Sequence, residues 1–397
     1  MKTSITSSLV TSIAMVCLSA QTHASNWQNI VNEANGQTLY FNAWGGSESI
    51  NRYIDWAAKQ VKREYNLEVQ HVKITDAAAA VTRIDTEIRG GNSTEGSIDL
   101  IWINGENFKR MKDDALLADA WANDLPNRAY VDEALPVNVD FTVPVEGQES
   151  PWGGAQLTLM YHSDRLDAVP SNSQDLLRLA TQRPGMITYP RVPNFHATSF
   201  LKQILIDLSN EDPALYKPVN DQDFERLSSI LWAYLDQLHP VMWRNGKAFP
   251  PNIAQMHSML ADGELLFSMS FNPNEAANLI RSGQLQPQTR SFGFERGMLG
   301  NIHFVAIPNN ASAKAGAKVF ANFLISPAAQ AHKSDLDVWG DPSVLDVKKL
   351  DGDIAKRFLS KDPSVLPSNT PWLSEPHSSW VAPLEEAWLQ RYGASQD

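Results

Sequence analysis

Along Thr38–Trp44 (TLYFNAW) apolar and polar positions alternate with a period of two, the pattern of a half-buried strand. The period then lengthens. Between Ser47 and Tyr65, Ile50, Ile54, Ala57, Ala58 and Val61 recur at helical spacing, so the segment predicts a helix entered through a loop beginning Trp-Gly-Gly-Ser. Residues 67–74 predict the next strand, 77–88 a helix, and SIDLIWINGENF a nearly continuous apolar strand running into a polar loop. Runs of this last kind suit parallel strands covered on both faces.

After a proline-containing stretch over 125–151, PWGGAQLTLMYHSDRL predicts a strand whose opening repeats Trp-Gly-Gly. GMITYPRVPNFHATSFLKQIL predicts a short strand, a proline-marked loop and a helix begun near Thr198. NIAQMHSMLADGELLFSMSFNPNEAANLI gives a helix, an apolar strand, a loop at Asn272–Asn274 and a helix from Glu275, and NIHFVAIPNNASAKAGAKVFANFLISPAAQ a strand, a turn and a helix. No short-period repeat or low-complexity tract interrupts the series. Such alternation predicts an α/β fold with mainly parallel sheets flanked by helices. In these sheets the ligand crevice lies beyond the carboxyl ends of the strands.

With 397 residues, 43% of them hydrophobic, the chain holds more apolar material than one core accommodates, so two lobes are expected. A formal charge of −12 opposes a nucleic acid or an anionic membrane surface as partner and leaves small cationic or neutral ligands open. Lys2, the mostly apolar run from Leu9 to Leu18 and the small residues of THAS predict a secretory signal peptide over 1–24, cleaved after Ala24. The one cysteine, Cys17, lies inside it, so no disulfide framework is expected in the mature chain. Past Ser25 no apolar run is long enough to span a bilayer, and the periplasm is the simplest destination.

The candidate chemistry sits in the loops, and each candidate has a plain structural reading beside the functional one. Trp44, Gly45, Gly46 and Ser47 make either a tight turn with Ser47 as helix N-cap, or a binding loop of exposed amides beside an aromatic face able to hold a cation. The recurrence at Trp152, Gly153 and Gly154 favours the second. Asn104, Gly105, Glu106 and Asn107 follow an apolar strand directly; they are a solvated loop, or Glu106 is a counter-charge for a cation with two adaptable amides beside it. Tyr189, Arg191, Phe195, Thr198 and Ser199 cap and pack a helix, or present its first turn and Arg191 to an anionic or carbonyl group. Phe271, Asn272, Asn274 and Glu275 form a comparable set, and Trp243 with Arg244 another.

Catalytic signatures are absent from the sequence: no G-x-S-x-G elbow, H-E-x-x-H helix or P-loop is present, and the histidines are scattered singly. Abundant carboxylates and 12 tryptophans keep a carbohydrate-active enzyme or sugar-binding protein as the alternative.

Taken in order, LYFNAWGGSES, GSIDLIWINGENF, PWGGAQLTLMYHSDRL and IHFVAIPNNASAKAGAKVFANFLISPAAQ resemble the first strand and ligand loop, the next crevice strand, the hinge segment and the returning strand and helix of type II periplasmic solute-binding proteins of ABC importers. The pattern is similar to the YnjB-like branch of that family, near its thiamine-, polyamine- and iron-binding members. The resemblance implies two lobes joined by a hinge, with the cleft between them holding the solute. Lobe 1 is expected over 25–150, completed by about 301–340, and lobe 2 over 151–300, with 341–397 left to complete it. It also implies a monomer without enzymatic activity or cofactor, delivering its solute to an inner-membrane permease with an ATPase subunit. Iron binders of the group often carry adjacent tyrosines, and no Tyr-Tyr pair occurs here. Thiamine and polyamine binders combine aromatic rings with acidic partners, types that Trp44, Trp152, Tyr189, Glu106 and Glu275 supply.

Overall fold

The computed structural model describes residues 26–358, 362–367 and 369–393, so the expected signal peptide lies outside the described residues. The alternating run of Thr38–Trp44 is strand β1, and its helical partner spans Glu48–Tyr65. Strand β2 (Glu68–Ile74) runs parallel to β1 from Thr38 opposite Glu68 to Trp44 opposite Ile74, and β3 (Leu100–Ile103) lies parallel on its other side. Loops leaving these three strands therefore emerge at one edge of the sheet.

A short hairpin of β4 (Val139–Asp140) and β5 (Val143–Pro144) precedes β6 (Glu149–Gln156) and β7 (Thr158–His162). The apolar run from Pro151 to His162, expected as one strand, is thus two. Between them the Gln156 amide donates to the Phe271 carbonyl at 2.9 Å and the Leu157 amide to the Leu299 carbonyl at 2.7 Å, and the chain changes sheets there. Strand β6 joins the first sheet through β10 (Met298–Ala306), which also pairs β3 and, in parallel, β11 (Trp372–Ser374). Strand β7 lies between β8 (Ser268–Ser270) and β9 (Thr289–Phe292) in a second sheet.

The α/β class holds, and among the described strands the parallel ladders are β2–β1–β3 and β10–β11. The second sheet is antiparallel throughout its described ladders, because β7 enters it by crossing from the first sheet and not through a helical crossover. No ladder forms over the expected short strand at 186–189. That extended segment is held singly, by Leu266 donating to Met186 and Trp243 to Ile187. The helix expected near Thr198 begins earlier, spanning Phe195–Ser209, because the Asn194 side chain caps it by accepting from the His196 amide.

Two large apolar cores form, one around each sheet. The first gathers Leu39, Phe41, Tyr53 and Trp152 with Phe304, Phe320, Val344 and Leu345. The second gathers Tyr189, Leu201 and Ile204 with Leu299, Trp380 and Trp388, the last from the C-terminal helix Val381–Tyr392. The chain thus crosses from the first core to the second after β6 and returns along β10.

Inside the first core, the Lys333 ammonium is fully buried against Trp152 and Trp339, 5.7 and 5.5 Å from their ring centroids. It donates to Asp341 Oδ2 at 2.6 Å, and His303 meets the other oxygen of Asp341 at 3.1 Å. Burial pushes the Lys333 pKa down while Asp341 opposes that shift. A Cβ on Gly153 would stand 2.6 Å from the Lys333 ammonium and collide with Asp341 Oδ2. Gly153→Ala should therefore disrupt a buried ion pair and cost on the order of 3–5 kcal/mol in urea unfolding. Gly352→Ala, where a methyl meets nothing within 4 Å, should be near neutral in the same measurement.

Candidate functional site

At the carboxyl edge of β1, Trp44 is 36% exposed and its ring folds back over its own loop, where a Cβ on Gly46 would collide with the indole. Gly46 is needed because the ring lies on it. The amides of this loop are less free than expected. Gly45 donates to the Ile74 carbonyl at 3.0 Å and accepts from Asn51 at 3.0 Å. Ser47 occupies the N-cap position without capping, and its hydroxyl pairs with that of Ser49 at 2.8 Å.

The neighbouring loop after β3 is shorter than expected, because Glu106 already opens the helix Glu106–Asp113. Asn104 and Asn107 flank Gly105 as half-buried side chains. Gly105 adopts φ 61°, and its amide donates to Asp140 Oδ2 at 2.7 Å. With no side chain there, the Phe141 ring packs onto Gly105, within 2.8 Å of where a Cβ would be. Phe141 and Thr142 themselves have φ of 42° and 69°, conformations that non-glycine residues adopt only where the surroundings impose them. Phe141 is 5% exposed yet belongs to neither apolar core.

Its exposed face is covered from the other side of the molecule. The Lys202 ammonium, from the helix Phe195–Ser209, lies 4.6 Å from the Phe141 centroid. It donates to Glu375 Oε2 at 2.6 Å, and Asn301 donates to the other oxygen at 3.0 Å. One turn earlier, the Thr198 hydroxyl donates to Glu385 at 2.6 Å. Glu375 thus pairs directly with this buried ammonium, whose charge also acts on Glu106, Asp140 and Glu385.

Electrostatics follow from that imbalance. Asp140, 1% exposed, is pushed well above the carboxylate range by burial; the Gly105 amide and Lys202 oppose this, while Glu106 and Glu375 add to it. Its Oδ1 has no hydrogen-bond partner. Glu149, equally buried, is raised by burial and by Asp140, with Lys112 opposing, and neither of its oxygens is bonded. Glu106 is reached by water, yet protein crowds its carboxyl enough that lost hydration raises its pKa, against Lys202. Glu385 is raised by burial, with Thr198 and Lys202 opposing and Asp76, the cap after β2, adding to it.

Other expected site residues are placed differently. Trp152 is fully buried in the first core between Tyr53 and Trp102, so the second Trp-Gly-Gly is packing: Gly153 admits the Lys333–Asp341 pair and Gly154 leaves room for Trp372. Tyr189 is fully buried in the second core, stacked on Phe200 at 4.7 Å and bonded to His239 at 2.7 Å. Trp243 donates to Glu264 at 2.6 Å, ahead of β8, whereas the candidate loops follow their strands. Arg191 is exposed beside a recess of about 310 Å³ shared with Asn194, Pro251 and Leu389.

After β8, Phe271 packs on Phe195 at 4.9 Å and on His196 at 5.9 Å; burial pushes the His196 pKa down to about 3, helped by His257. Asn272 and Asn278 donate to the Trp339 carbonyl and Asn274 to that of Gly340, so these amides bind the two halves of the molecule to each other. Glu275 faces Asn272 Nδ2 at 3.4 Å.

Sequence reasoning singled out Glu106 and did not single out Asp140, Phe141, Lys202, Glu375 and Glu385, the residues near it in this boundary. One signal was available: Lys202 interrupts the apolar run SFLKQILI, where a lysine must be buried with a partner.

The two apolar cores of this α/β molecule thus meet over a polar, under-compensated boundary. Residues 56–357 match the family of bacterial extracellular solute-binding proteins, and the chain belongs to that family. It is accordingly a binding protein and not an enzyme, of the class that serves ABC importers alongside a permease and an ATPase. Over 375 residues it is 52% identical to Protein YnjB of Escherichia coli K12, covering 94% of this chain and 96% of that one. Its fold is similar to the spermidine/putrescine substrate-binding protein PotD of Streptococcus pneumoniae, with TM-score 0.63 at 17% identity, covering 91% of this chain and 100% of that one. It is also similar to the fructose-6-phosphate-bound AfuA of Actinobacillus pleuropneumoniae, with TM-score 0.61 at 14% identity over 90% and 99%. The fold is that of type II periplasmic binding proteins. Among the described residues no helix is long and apolar enough to cross a membrane.

Glu275 gives a pH test of the loop. Burial raises its pKa from 4.5 to about 7, with Asn272 opposing. A carboxyl harder to ionise folded than unfolded costs stability as pH rises through that window. Glu275→Gln should therefore be more stable than the wild type at pH 8, and its advantage should shrink by a few degrees of melting temperature at pH 5.

Proposed function

We propose that the protein captures a small organic cation, thiamine-like or polyamine-like, between its lobes and delivers it to an inner-membrane permease. It does so as a monomer exported to the periplasm by its N-terminal segment. The observation that carries the cargo class is the surplus of carboxylates around one ammonium, with Asp140 Oδ1 bare and Glu106 lacking any cation at ion-pair distance among the described residues. Buried carboxylates without counter-ions are costly, and a ligand that brings positive charge removes that cost.

On this reading Glu106 and Asp140 receive the positive group, Trp44 covers one rim and Phe195 the other. Trp44 and Phe195 are exposed at 36% and 42%, as two rings waiting for a third surface would be. The Trp44 loop is held by β1 behind it and by the helix Glu48–Tyr65 ahead, so little ordering entropy opposes capture. Closure of the lobes over the cation would present the permease with a different surface, which makes occupancy readable from outside.

Thermal shift and calorimetry with thiamine, putrescine and spermidine, beside glucose and fructose 6-phosphate, test the reading. A cation should raise the melting temperature, and a response to a sugar or oxyanion alone would overturn the cargo class. Against the cation that binds, Glu106→Gln and Asp140→Asn should each weaken affinity by about 1.5–3 kcal/mol, and Trp44→Ala by about 1–3 kcal/mol. Unchanged affinity in a folded Trp44→Ala protein would make that ring structural only.

A further inference from the structure

The group resting on Phe141 is itself an alkylammonium ion, that of Lys202, and it resembles the cargo proposed above. Its ring contact at 4.6 Å, its bond to Glu375 and its 2% exposure describe a filled ammonium site built from both halves of the molecule. We propose that Lys202 is a resident cation that sets how many positive charges the cargo carries. It occupies one ammonium position of the cleft and leaves the remainder to the solute. The inference rests on the cationic reading of the site and names its specificity-determining residue.

The arithmetic of charge supports this role. Glu375 has both oxygens engaged, by Lys202 and Asn301, and its charge is already matched by the Lys202 ammonium while that stays. Glu106 and the free oxygen of Asp140 remain. A tethered ammonium loses little entropy on occupying its site, so a free cation competes with it poorly for Phe141 and Glu375. The gain from an additional positive group on the solute is correspondingly withheld. With Lys202 removed, Phe141 and Glu375 are left without their ammonium, within the electrostatic reach of Asp140 and Glu106.

The test compares choline, putrescine and spermidine, which carry one, two and three positive charges, on the wild-type protein and on Lys202→Met by calorimetry. Lys202→Met should shift the preference toward the more highly charged amine, raising the ratio of its affinity to that of the next lower one by about tenfold or more. Lys202→Arg should keep the wild-type order. Should Lys202→Met not fold with Glu375 left unpaired, Lys202→Gln, whose amide can still donate to Glu375, should shift the preference in the same direction. A folded variant that binds with unchanged ratios overturns the resident-cation role alone. A wild-type protein that binds none of the three, nor thiamine, overturns the cationic reading and this inference with it.

Discussion

A scarcity of positive charge at the boundary between two apolar cores organises the molecule. Glu106, Asp140, Glu375 and Glu385 share the influence of one ammonium, which pairs directly with Glu375, and withdrawing carboxylates from water costs several kcal/mol per group unless each finds a partner. Local geometry softens that cost where it can. Gly105 turns its amide to Asp140 and Thr198 gives its hydroxyl to Glu385, while burial still pushes the pKa of both carboxyls up. The unusual backbone of Phe141 and Thr142 belongs to the same arrangement, because it is what brings an aromatic face out of both cores and under Lys202.

The elements built by local rules were readable in the chain. Strand β1 spans the seven residues its alternation marks, and the helix after it begins one residue past the expected start, since periodicity depends only on neighbours three or four positions away. Strand direction was not readable in the second sheet. The apolar run before Asn272 looks the same whether its partner arrives through a helix or by crossing from another sheet, and only the change of sheet at Gln156 and Leu157 decides it.

The candidate site divides along the same line. Glu106 stood out as a candidate because its polar loop directly follows the apolar strand Leu100–Ile103. Phe141, Lys202 and Glu375 lie far apart in sequence, and nothing local announces that they meet. The repeated Trp-Gly-Gly misled for a physical reason: glycine marks any close approach, and at Gly153 what approaches is a buried ion pair and not a ligand. At Gly46 it is the protein's own indole.

The three asparagines that reach from 272–278 to the carbonyls of Trp339 and Gly340 limit how the halves can move. Together with the strand crossings at Gln156–Leu157 they fix two separate points on the line where the halves join. Two fixed points define an axis. On the proposed reading, an opening that keeps both sets of contacts is a rotation about the line through them, whereas a slide of one half past the other would break one set.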